Sequence, residues 1–206
     1  MNLCRVPVAQ ATRNGKPLTD TGPFVRDPPR PGIDQVDGAL LLDVDGVLNI
    51  LGDAEDQSGL PSVTGSRGRP LPINMISGEI LDVLEHTLRR PGVWLGWLTT
   101  WGSSVASLEK ILGGRLSGGF VVAERPSGYY APADWKYKGA FQFAEKHPRA
   151  SVAWVDDDAI PITLQTRSLS SQLSGLVRIT PQPDVGLTLS HARQIEKLLT
   201  ISPTSQ

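Results

Sequence analysis

The stretch from Ala39 to Asn49 reads Ala-Leu-Leu-Leu-Asp-Val-Asp-Gly-Val-Leu-Asn, an apolar run that ends in two acids and a glycine. The run is too short for a helix and leads into a turn-forming Asp-Gly pair, which predicts a buried β-strand. Asp43 and Asp45 therefore stand where this strand ends. Their two-residue spacing places both on one side of an ideal strand, but Gly46 allows the chain to twist at once and aim them differently.

A second stretch, from Val152 to Asp158, repeats the pattern, since Val-Ala-Trp-Val is followed directly by three aspartates. In a parallel sheet, both acidic clusters leave the sheet at the same edge. Converging carboxylates repel one another and favour protonation unless a hard divalent cation neutralises them, and Mg²⁺ is the expected ion. Each cluster alone also fits an ordinary turn or a helix cap, whereas the two together favour a metal site.

Apolar runs and helical spacings alternate along the chain around these acids. Further runs predict strands at residues 93–98, 120–123, 151–155 and 176–179. Apolar residues at every third or fourth position predict helices around Ile80 and Leu84, around Val105 and Leu108, and over residues 139–147 and 189–199. The alternation predicts an α/β fold: a three-layer, Rossmann-like parallel sheet with helices on both faces, whose ligands bind beyond the carboxyl ends of the strands.

Two stretches fall outside this alternation. Residues 1–36 contain turn formers, scattered charge and a Pro-rich cluster around Pro29, which predicts a mobile N-terminal tail. Residues 49–74 are rich in Gly and Pro, which predicts a flap or small lid after the first strand and not a substantial helical cap. The folded domain is expected over residues 37–201, and residues 202–206 are expected to be a disordered C-terminus.

The composition limits the classes of protein that the chain can form. Its 206 residues fit one domain with a tail, and its formal net charge of −1 provides no overall positive field for a nucleic-acid backbone, although a local patch can do so. The single cysteine, Cys4, excludes an internal disulfide and fits a reducing compartment. Since no apolar run is long enough to span a bilayer, we expect a cytoplasmic protein with no membrane partner.

Several motifs occur in an order that points to a known family. Asp43 to Leu48 resembles the first signature of the haloacid dehalogenase (HAD) superfamily of phosphohydrolases, an Asp-x-Asp-Gly-x-Leu strand end. Trp97 to Trp101, which reads Trp-Leu-Thr-Thr-Trp, is similar to the second signature; Lys136 or Lys138 stands where a lysine is expected; and Asp156-Asp157 resembles the acidic fourth. The resemblance covers about residues 39–200, and its spacing leaves no room for a large cap domain.

Three of these motifs, together with the late Val-Gly-Leu-Thr at residues 185–188, are similar to a small capless branch of the superfamily. That branch occurs in bacterial and phage proteins and as modules within RNA-repair proteins. Trp97, Trp101 and Trp154 belong to the motifs, and we interpret them as core residues that flank strands in preference to base-stacking residues.

The resemblance implies a role for each matching acid. Asp43 is the nucleophile that attacks phosphorus and forms an aspartyl-phosphate, and it also binds the metal. Asp45 is the general acid and then the general base, and its backbone carbonyl binds the metal. Asp156 and Asp157 complete the Mg²⁺ shell directly or through water, whereas Asp158 is interpreted as a cap for the segment that follows it.

Two further roles each have two candidates. Thr99 is expected to bind the transferred phosphoryl oxygens, with Thr100 as the alternative because it lies one residue farther beyond the strand; a hydroxyl here also fits a helix N-cap. Lys136 is expected to neutralise charge at the nucleophile, with Lys138 as the alternative. Both lysines are expected to precede the helix that leads to the acidic strand.

The leading hypothesis is a magnesium-dependent phosphatase, and its expected partner is a phosphorylated small molecule or a nucleic-acid end. No obligate protein partner is evident. Two hypotheses come from other classes: a catalytically inactive HAD-fold binding module, and a receiver-like phospho-accepting signalling domain, which is disfavoured because a receiver carries its paired acids first. Local basic support for a nucleic-acid end comes from Arg67, Arg69, Arg89 and Arg90, which fit solubilising charge equally well.

Overall fold

The computed structural model describes residues 26–51, 74–126, 134–158 and 175–200, together with four short strands outside these ranges. The strands, in chain order, are β1 (Thr12–Arg13), β2 (Lys16–Pro17), β3 (Gly38–Leu42), β4 (Ser62–Thr64), β5 (Pro70–Pro72), β6 (Val93–Trp97), β7 (Phe120–Val121), β8 (Ser151–Val155) and β9 (Leu176–Ile179). The helices are α1 (Gly78–Leu88), α2 (Val105–Ile111), α3 (Trp135–Lys146) and α4 (Leu189–Thr200), and a 3₁₀ turn, Gly102–Ser104, precedes α2.

The central sheet has five parallel strands in the order β7-β6-β3-β8-β9. Strand β3 lies in the middle of the sheet, and all five of its residues are buried. A strand that is covered on both faces needs apolar residues at every position. Its last residue, Leu42, pairs with Trp97 on one side and Val155 on the other. The residues that follow these three strands therefore leave the sheet at one edge, and the five predicted strands are confirmed.

Helices cover both faces of the sheet. Leu40 and Leu42 of β3 pack into one apolar cluster with residues of α1, α2 and α4. Ala39 and Leu41, which point the other way along the same strand, pack into a second cluster with α3. The predicted three-layer α/β architecture is thus confirmed.

One helix begins earlier than predicted. Helix α3 begins at Trp135 and not at Gly139, so Lys136 and Lys138 lie in its first turn and do not precede it. A helix N-terminus disfavours cations that have no acid beside them. Both ammonium groups are instead neutralised by carboxylates, that of Lys138 by Asp134 at 2.9 Å and that of Lys136 by the acids described below.

The predicted flap contains an antiparallel pair, β4 and β5. Its two ends meet at the base, where the backbone N–H of Ile50 donates to the carbonyl of Asn74 at 2.7 Å and Asn49 forms a bridge with Met75. The remainder of the flap, residues 52–61, 65–69 and 73, lies outside the described residues.

The last part of the predicted tail lies against the sheet edge. The backbone N–H of Arg26 donates to the carbonyl of Gly119 at 2.8 Å, and its guanidinium lies 5.5 Å from the ring centre of Trp94. Strands β1 and β2 pair antiparallel farther upstream. Residues 1–11, 14–15, 18–25 and 201–206 lie outside the described part of the chain, so the domain boundaries at 36, 37 and 201 stay predictions.

Among the described residues, every helix is too short or too polar to cross a lipid bilayer.

Candidate active site

Asp43 follows β3 directly and is almost completely buried. Its backbone N–H donates to the carbonyl of Val155, which extends the sheet pairing by one residue and holds Asp43 at the carboxyl edge. Its Oδ1 accepts the N–H of Val44 at 2.7 Å, and its carboxylate also accepts the hydroxyl of Thr99. The carboxylate is therefore fixed by donors from two neighbouring strand ends.

Lys136 reaches this carboxylate from the first turn of α3. Its Nζ lies 2.6 Å from Oδ2 of Asp43, 3.2 Å from Oδ2 of Asp156 and 2.9 Å from Oδ2 of Asp158. The side chain of Lys136 is 8% exposed, whereas that of Lys138 is 61% exposed and pairs with Asp134. Of the two sequence candidates, the structure brings Lys136 alone to the acids.

The acids that follow β8 lie opposite Asp43. Asp156 is fully buried, and its backbone N–H donates to the carbonyl of Ile179 at 3.2 Å. Carboxylate oxygens of Asp43, Asp156 and Asp157 all lie within 4.8 Å of one another. Only oxygen ligands are present in this cluster, which is the donor set that a hard divalent cation prefers.

Gly46 makes room for this cluster. Its φ of +71° lies in the left-handed region, and a Cβ built on it would lie 2.2 Å from Oδ2 of Asp157. Any other residue would therefore strain the backbone and displace an acid of the cluster.

Burial and mutual repulsion control protonation in the cluster. Burial raises the pKa of Asp43, with Lys136 partly opposing the rise. Burial and the charge of Asp43 together raise the pKa of Asp156 to about 7, and they also raise that of Asp157. Burial alone lowers the pKa of Lys136, but Asp43 and Asp156 outweigh it and raise that pKa above its usual value. One buried cation therefore faces more acid than it neutralises.

The second strand end provides the hydroxyl. Thr99 is 2% exposed and contacts Asp43, whereas Thr100 is exposed. The Oγ1 of Thr99 also accepts the backbone N–H of Trp101 at 3.4 Å. The structure thus places Thr99, and not Thr100, beside Asp43.

Asp45 has a different environment from the three clustered acids. Its Oδ2 accepts the indole Nε1–H of Trp101 at 2.8 Å, and its Oδ1 accepts the Nδ2–H of Asn49 at 3.0 Å. Its side chain is not part of the three-acid cluster. The metal-binding role expected for the backbone carbonyl of Asp45 stays a prediction.

Solved structures show which fold this geometry belongs to. The HAD domain of effector protein Lem4 from Legionella pneumophila superposes with a TM-score of 0.54 and 16% identity, covering 82% of this chain and 97% of that domain. An inactive mutant of the same domain superposes with a TM-score of 0.53 and 16% identity, covering 82% and 95%. This chain has the HAD fold. No protein-family model and no curated protein matches it.

The late Val-Gly-Leu-Thr motif lies against the first HAD-like signature. The backbone N–H of Leu187 donates to the carbonyl of Val47 at 2.9 Å. Gly186 has a φ of +70°, and a Cβ there would lie 2.9 Å from the same carbonyl. The motif therefore braces the turn that carries Asp45 within the HAD fold.

The tryptophans of the HAD-like motifs are packed and hydrogen-bonded. Trp97 is fully buried and its Nε1–H donates to Glu109 at 2.9 Å. Trp154 is 4% exposed and its Nε1–H lies 3.3 Å from Oδ2 of Asp156. Trp101 is partly buried against the core and donates to Asp45. These environments favour the core interpretation over base stacking.

Sequence reasoning missed three contacts of the site. Asn49 and Trp101 bind Asp45, and Asp158, which was interpreted as a cap, pairs with Lys136. The segment that Asp158 was expected to cap lies outside the described residues. The one available signal was the four-residue spacing from Asp45 to Asn49, which suits a side chain that folds back across a turn.

Among the described residues, the arginines that were considered as a basic patch for a nucleic-acid end do not lie at the site. Arg89 pairs with Glu85 at 2.6 Å after the end of α1, and Arg90 precedes β6, at the opposite edge of the HAD sheet from Asp43. Arg67 and Arg69 lie outside the described residues.

Proposed function

We propose that this protein is a phosphomonoesterase that works through an aspartyl-phosphate on Asp43. The observation that carries the proposal is the buried contact between Lys136 and Asp43 at 2.6 Å, inside a cluster of three carboxylates at the carboxyl edge of a HAD sheet. Carboxylates alone repel an anionic substrate, so a site built to bring phosphate to Asp43 needs cations beside it. Lys136 is one such cation.

The nucleophile is the carboxylate of Asp43. Thr99 and the N–H of Val44 fix its orientation, and Lys136 lowers the repulsion between its charge and the phosphate. In the first step an oxygen of Asp43 bonds to phosphorus while the bond from phosphorus to the leaving oxygen breaks. Lys136 and Thr99 then serve as donors to the phosphoryl oxygens.

Asp45 moves the proton in both steps. In the first step it gives a proton to the leaving oxygen, which departs as an alcohol. In the second step it takes a proton from the attacking water, whose oxygen bonds to phosphorus as the bond to Asp43 breaks and inorganic phosphate forms. The carboxyl groups of Asp43 and Asp45 end each cycle as they began it.

The cluster fits Mg²⁺, as judged from its donors and its charge. Asp43, Asp156 and Asp157 offer carboxylate oxygens within 4.8 Å of one another, and burial and the charge of Asp43 raise the pKa of both Asp156 and Asp157 although Lys136 opposes the rise. These three residues, with the backbone carbonyl of Asp45, would hold the ion. When bound, it supplies charge neutralisation at the transferring phosphoryl group.

The substrate proposed is a phosphomonoester, either on a small molecule or at a nucleic-acid end. Since Arg89 and Arg90 lie away from the site, the sequence argument for a nucleic-acid end rests on the resemblance to the capless branch. A HAD-fold module that binds without hydrolysis and a receiver-like acceptor are the alternatives. Both predict no multiple turnover.

A substrate panel with matched variants tests the proposal. Purified protein is assayed for phosphate release from 4-nitrophenyl phosphate, phosphorylated metabolites, and 3′- and 5′-phosphorylated oligonucleotides. We expect turnover with Mg²⁺, none after EDTA, recovery when Mg²⁺ is restored, and none for Asp43→Asn folded like the wild type. If Asp43→Asn turns over substrate as fast as the wild type, Asp43 is not the nucleophile. If the wild type turns over none of the substrates, a binding module is favoured.

A further inference from the structure

The carboxylate of Asp45 carries one nitrogen donor on each oxygen, from two different parts of the chain. Trp101 Nε1 lies 2.8 Å from Oδ2, and Asn49 Nδ2 lies 3.0 Å from Oδ1. Trp101 comes from the loop after β6, and Asn49 from the base of the flap. Two contacts on opposite oxygens fix the rotation of the carboxylate about its own bond, which a single contact does not.

Each donor is itself held in place. The backbone N–H of Trp101 donates to Oγ1 of Thr99, and its ring packs against the main apolar cluster. Asn49 is 7% exposed, and its Oδ1 accepts the backbone N–H of Asn74 at 2.9 Å. Since that oxygen is already engaged with a donor, the amide must turn its Nδ2–H toward Asp45.

We propose that Trp101 and Asn49 are positioning residues that aim the carboxylate of Asp45 at the leaving oxygen and at the attacking water. This inference rests on the proposed function, in which Asp45 transfers protons. The indole Nε1–H and the Asn49 amide N–H only donate, so each oxygen of Asp45 keeps a further lone pair for the proton it moves. Geometry of this kind governs how fast a proton is transferred.

The position of the donors links Asp45 to both the nucleophile and the flap. Trp101 contacts Thr99, whose hydroxyl contacts Asp43, so one loop sets the relation between nucleophile and proton carrier. Asn49 connects Asp45 to Asn74 at the far end of the flap. One side chain, that of Asn49, thus joins Asp45 to the far end of the flap.

The test removes the indole N–H of Trp101 and keeps an aromatic ring at that position. Trp101→Phe lacks the indole N–H, and Trp94→Phe is the matched control, because Trp94 Nε1 donates to the carbonyl of Gln35 at 3.0 Å and lies at the start of β6, away from the site. We expect kcat of Trp101→Phe to fall roughly 10-fold to 100-fold on 4-nitrophenyl phosphate, because hydrolysis of the aspartyl-phosphate still needs Asp45 as its base, and at least as much on a poor alkyl leaving group. Trp94→Phe should match the wild type on both.

A double variant separates positioning from a general loss of structure. In an Asp45→Asn background the proton carrier is gone, so adding Trp101→Phe should cost no further rate on 4-nitrophenyl phosphate. An equal loss in both backgrounds would show that Trp101 only supports the loop and would overturn the proposal. If the wild type is active and Trp101→Phe loses no more rate than Trp94→Phe, the proposal is also overturned. If the wild type shows no turnover, the proposed function and this inference are contradicted together.

A measurement without turnover covers the case in which Trp101→Phe does not fold. In proton–nitrogen NMR spectra, Asp45→Ala should shift one indole N–H resonance and leave that of Trp94, assigned from Trp94→Phe, in place. No shifted indole resonance would contradict the contact on which the proposal is built.

Discussion

The ammonium of Lys136 lies 2.6 Å from Oδ2 of Asp43, whereas the ammonium of Lys138, two residues later on the same helix, is exposed and pairs with Asp134. Two residues advance a helix by about half a turn, so the lysines face nearly opposite directions. The first turn of α3 thus selects which lysine serves the site.

Replacing each lysine by methionine tests this selection. Lys136→Met removes the cation beside Asp43, and loss of such an electrostatic contact typically costs about 10²- to 10³-fold in kcat. Lys138→Met removes an exposed ion pair and should stay within about 2-fold of the wild type, because such pairs contribute little. Steady-state kinetics on 4-nitrophenyl phosphate measures both, and a larger loss for Lys138→Met would reverse the assignment.

Gly46 and Gly32 are a matched pair of positions that tests whether the close approach of Asp157 to Gly46 matters for the site. Both have positive φ, +71° and +74°, but a Cβ on Gly46 would meet Asp157 while one on Gly32 would meet nothing within 4 Å. Alanine at either position should cost about 1 to 2 kcal/mol of stability from backbone strain. Only Gly46→Ala should also weaken Mg²⁺ binding, measured by calorimetric titration; equal Mg²⁺ affinity of the two variants would show that Asp157 does not hold the ion.

The sheet and its site acids were predictable because they depend on local pattern. An apolar run such as Ala39 to Leu42 is buried on both faces wherever it occurs in an α/β chain, and parallel strands deliver Asp43 and Asp156 to one edge. The position of these acids follows from the strand pattern alone, without knowledge of individual side-chain contacts.

The features that the sequence did not predict depend on contacts between residues far apart in the chain. Trp101 donates to Asp45 from 56 residues away, and periodicity carries no signal for such a pair. Helix α3 begins at Trp135 and not at Gly139, and Lys136 in its first turn is neutralised by Asp43, which lies 93 residues earlier in the chain. Glu109 is fully buried in α2, where it accepts the indole N–H of Trp97, although a helical acid is usually solvated.

The pKa of Asp156, raised to about 7, predicts how the metal-free protein responds to pH. A carboxyl group with a higher pKa in the folded than in the unfolded protein stabilises the fold below about pH 4, and this contribution is lost as the pH rises through about 7. One pKa unit corresponds to about 1.4 kcal/mol, so the loss is of the order of a few kcal/mol.

Thermal unfolding in EDTA between pH 5 and pH 8 measures this contribution. The wild type should lose stability over that range more steeply than Asp156→Asn, which has no proton to lose there. With Mg²⁺ present the difference should shrink, because the ion favours the ionised cluster. Parallel curves for the two proteins in EDTA would contradict the raised pKa.

The contacts of Arg26 refine what truncation of the N-terminal region should do. A chain that begins at Phe24 keeps the hydrogen bond from Arg26 to Gly119, whereas one that begins at Ile33 loses it. Both should retain activity, because Arg26 lies at β7 and not among the site acids. The shorter chain should be less stable by about 1 kcal/mol for the lost contact, and so unfold at a lower temperature. Loss of activity by the chain that begins at Ile33 would contradict this expectation.

The central claim is that Asp43 becomes phosphorylated, and Asp45→Asn offers the clearest view of it. With 4-nitrophenolate as leaving group the first step needs little protonation, while hydrolysis of the intermediate lacks its general base. The variant should therefore accumulate a covalent adduct.

Acid quench of Asp45→Asn with 4-nitrophenyl phosphate and Mg²⁺, followed by intact-mass and peptide mass spectrometry, is the most direct measurement. The account predicts a mass increase of one phosphoryl group, located on Asp43 and absent from the double variant Asp43→Asn/Asp45→Asn. Turnover of the substrate by Asp45→Asn with no adduct, or with the adduct on another residue, would contradict it.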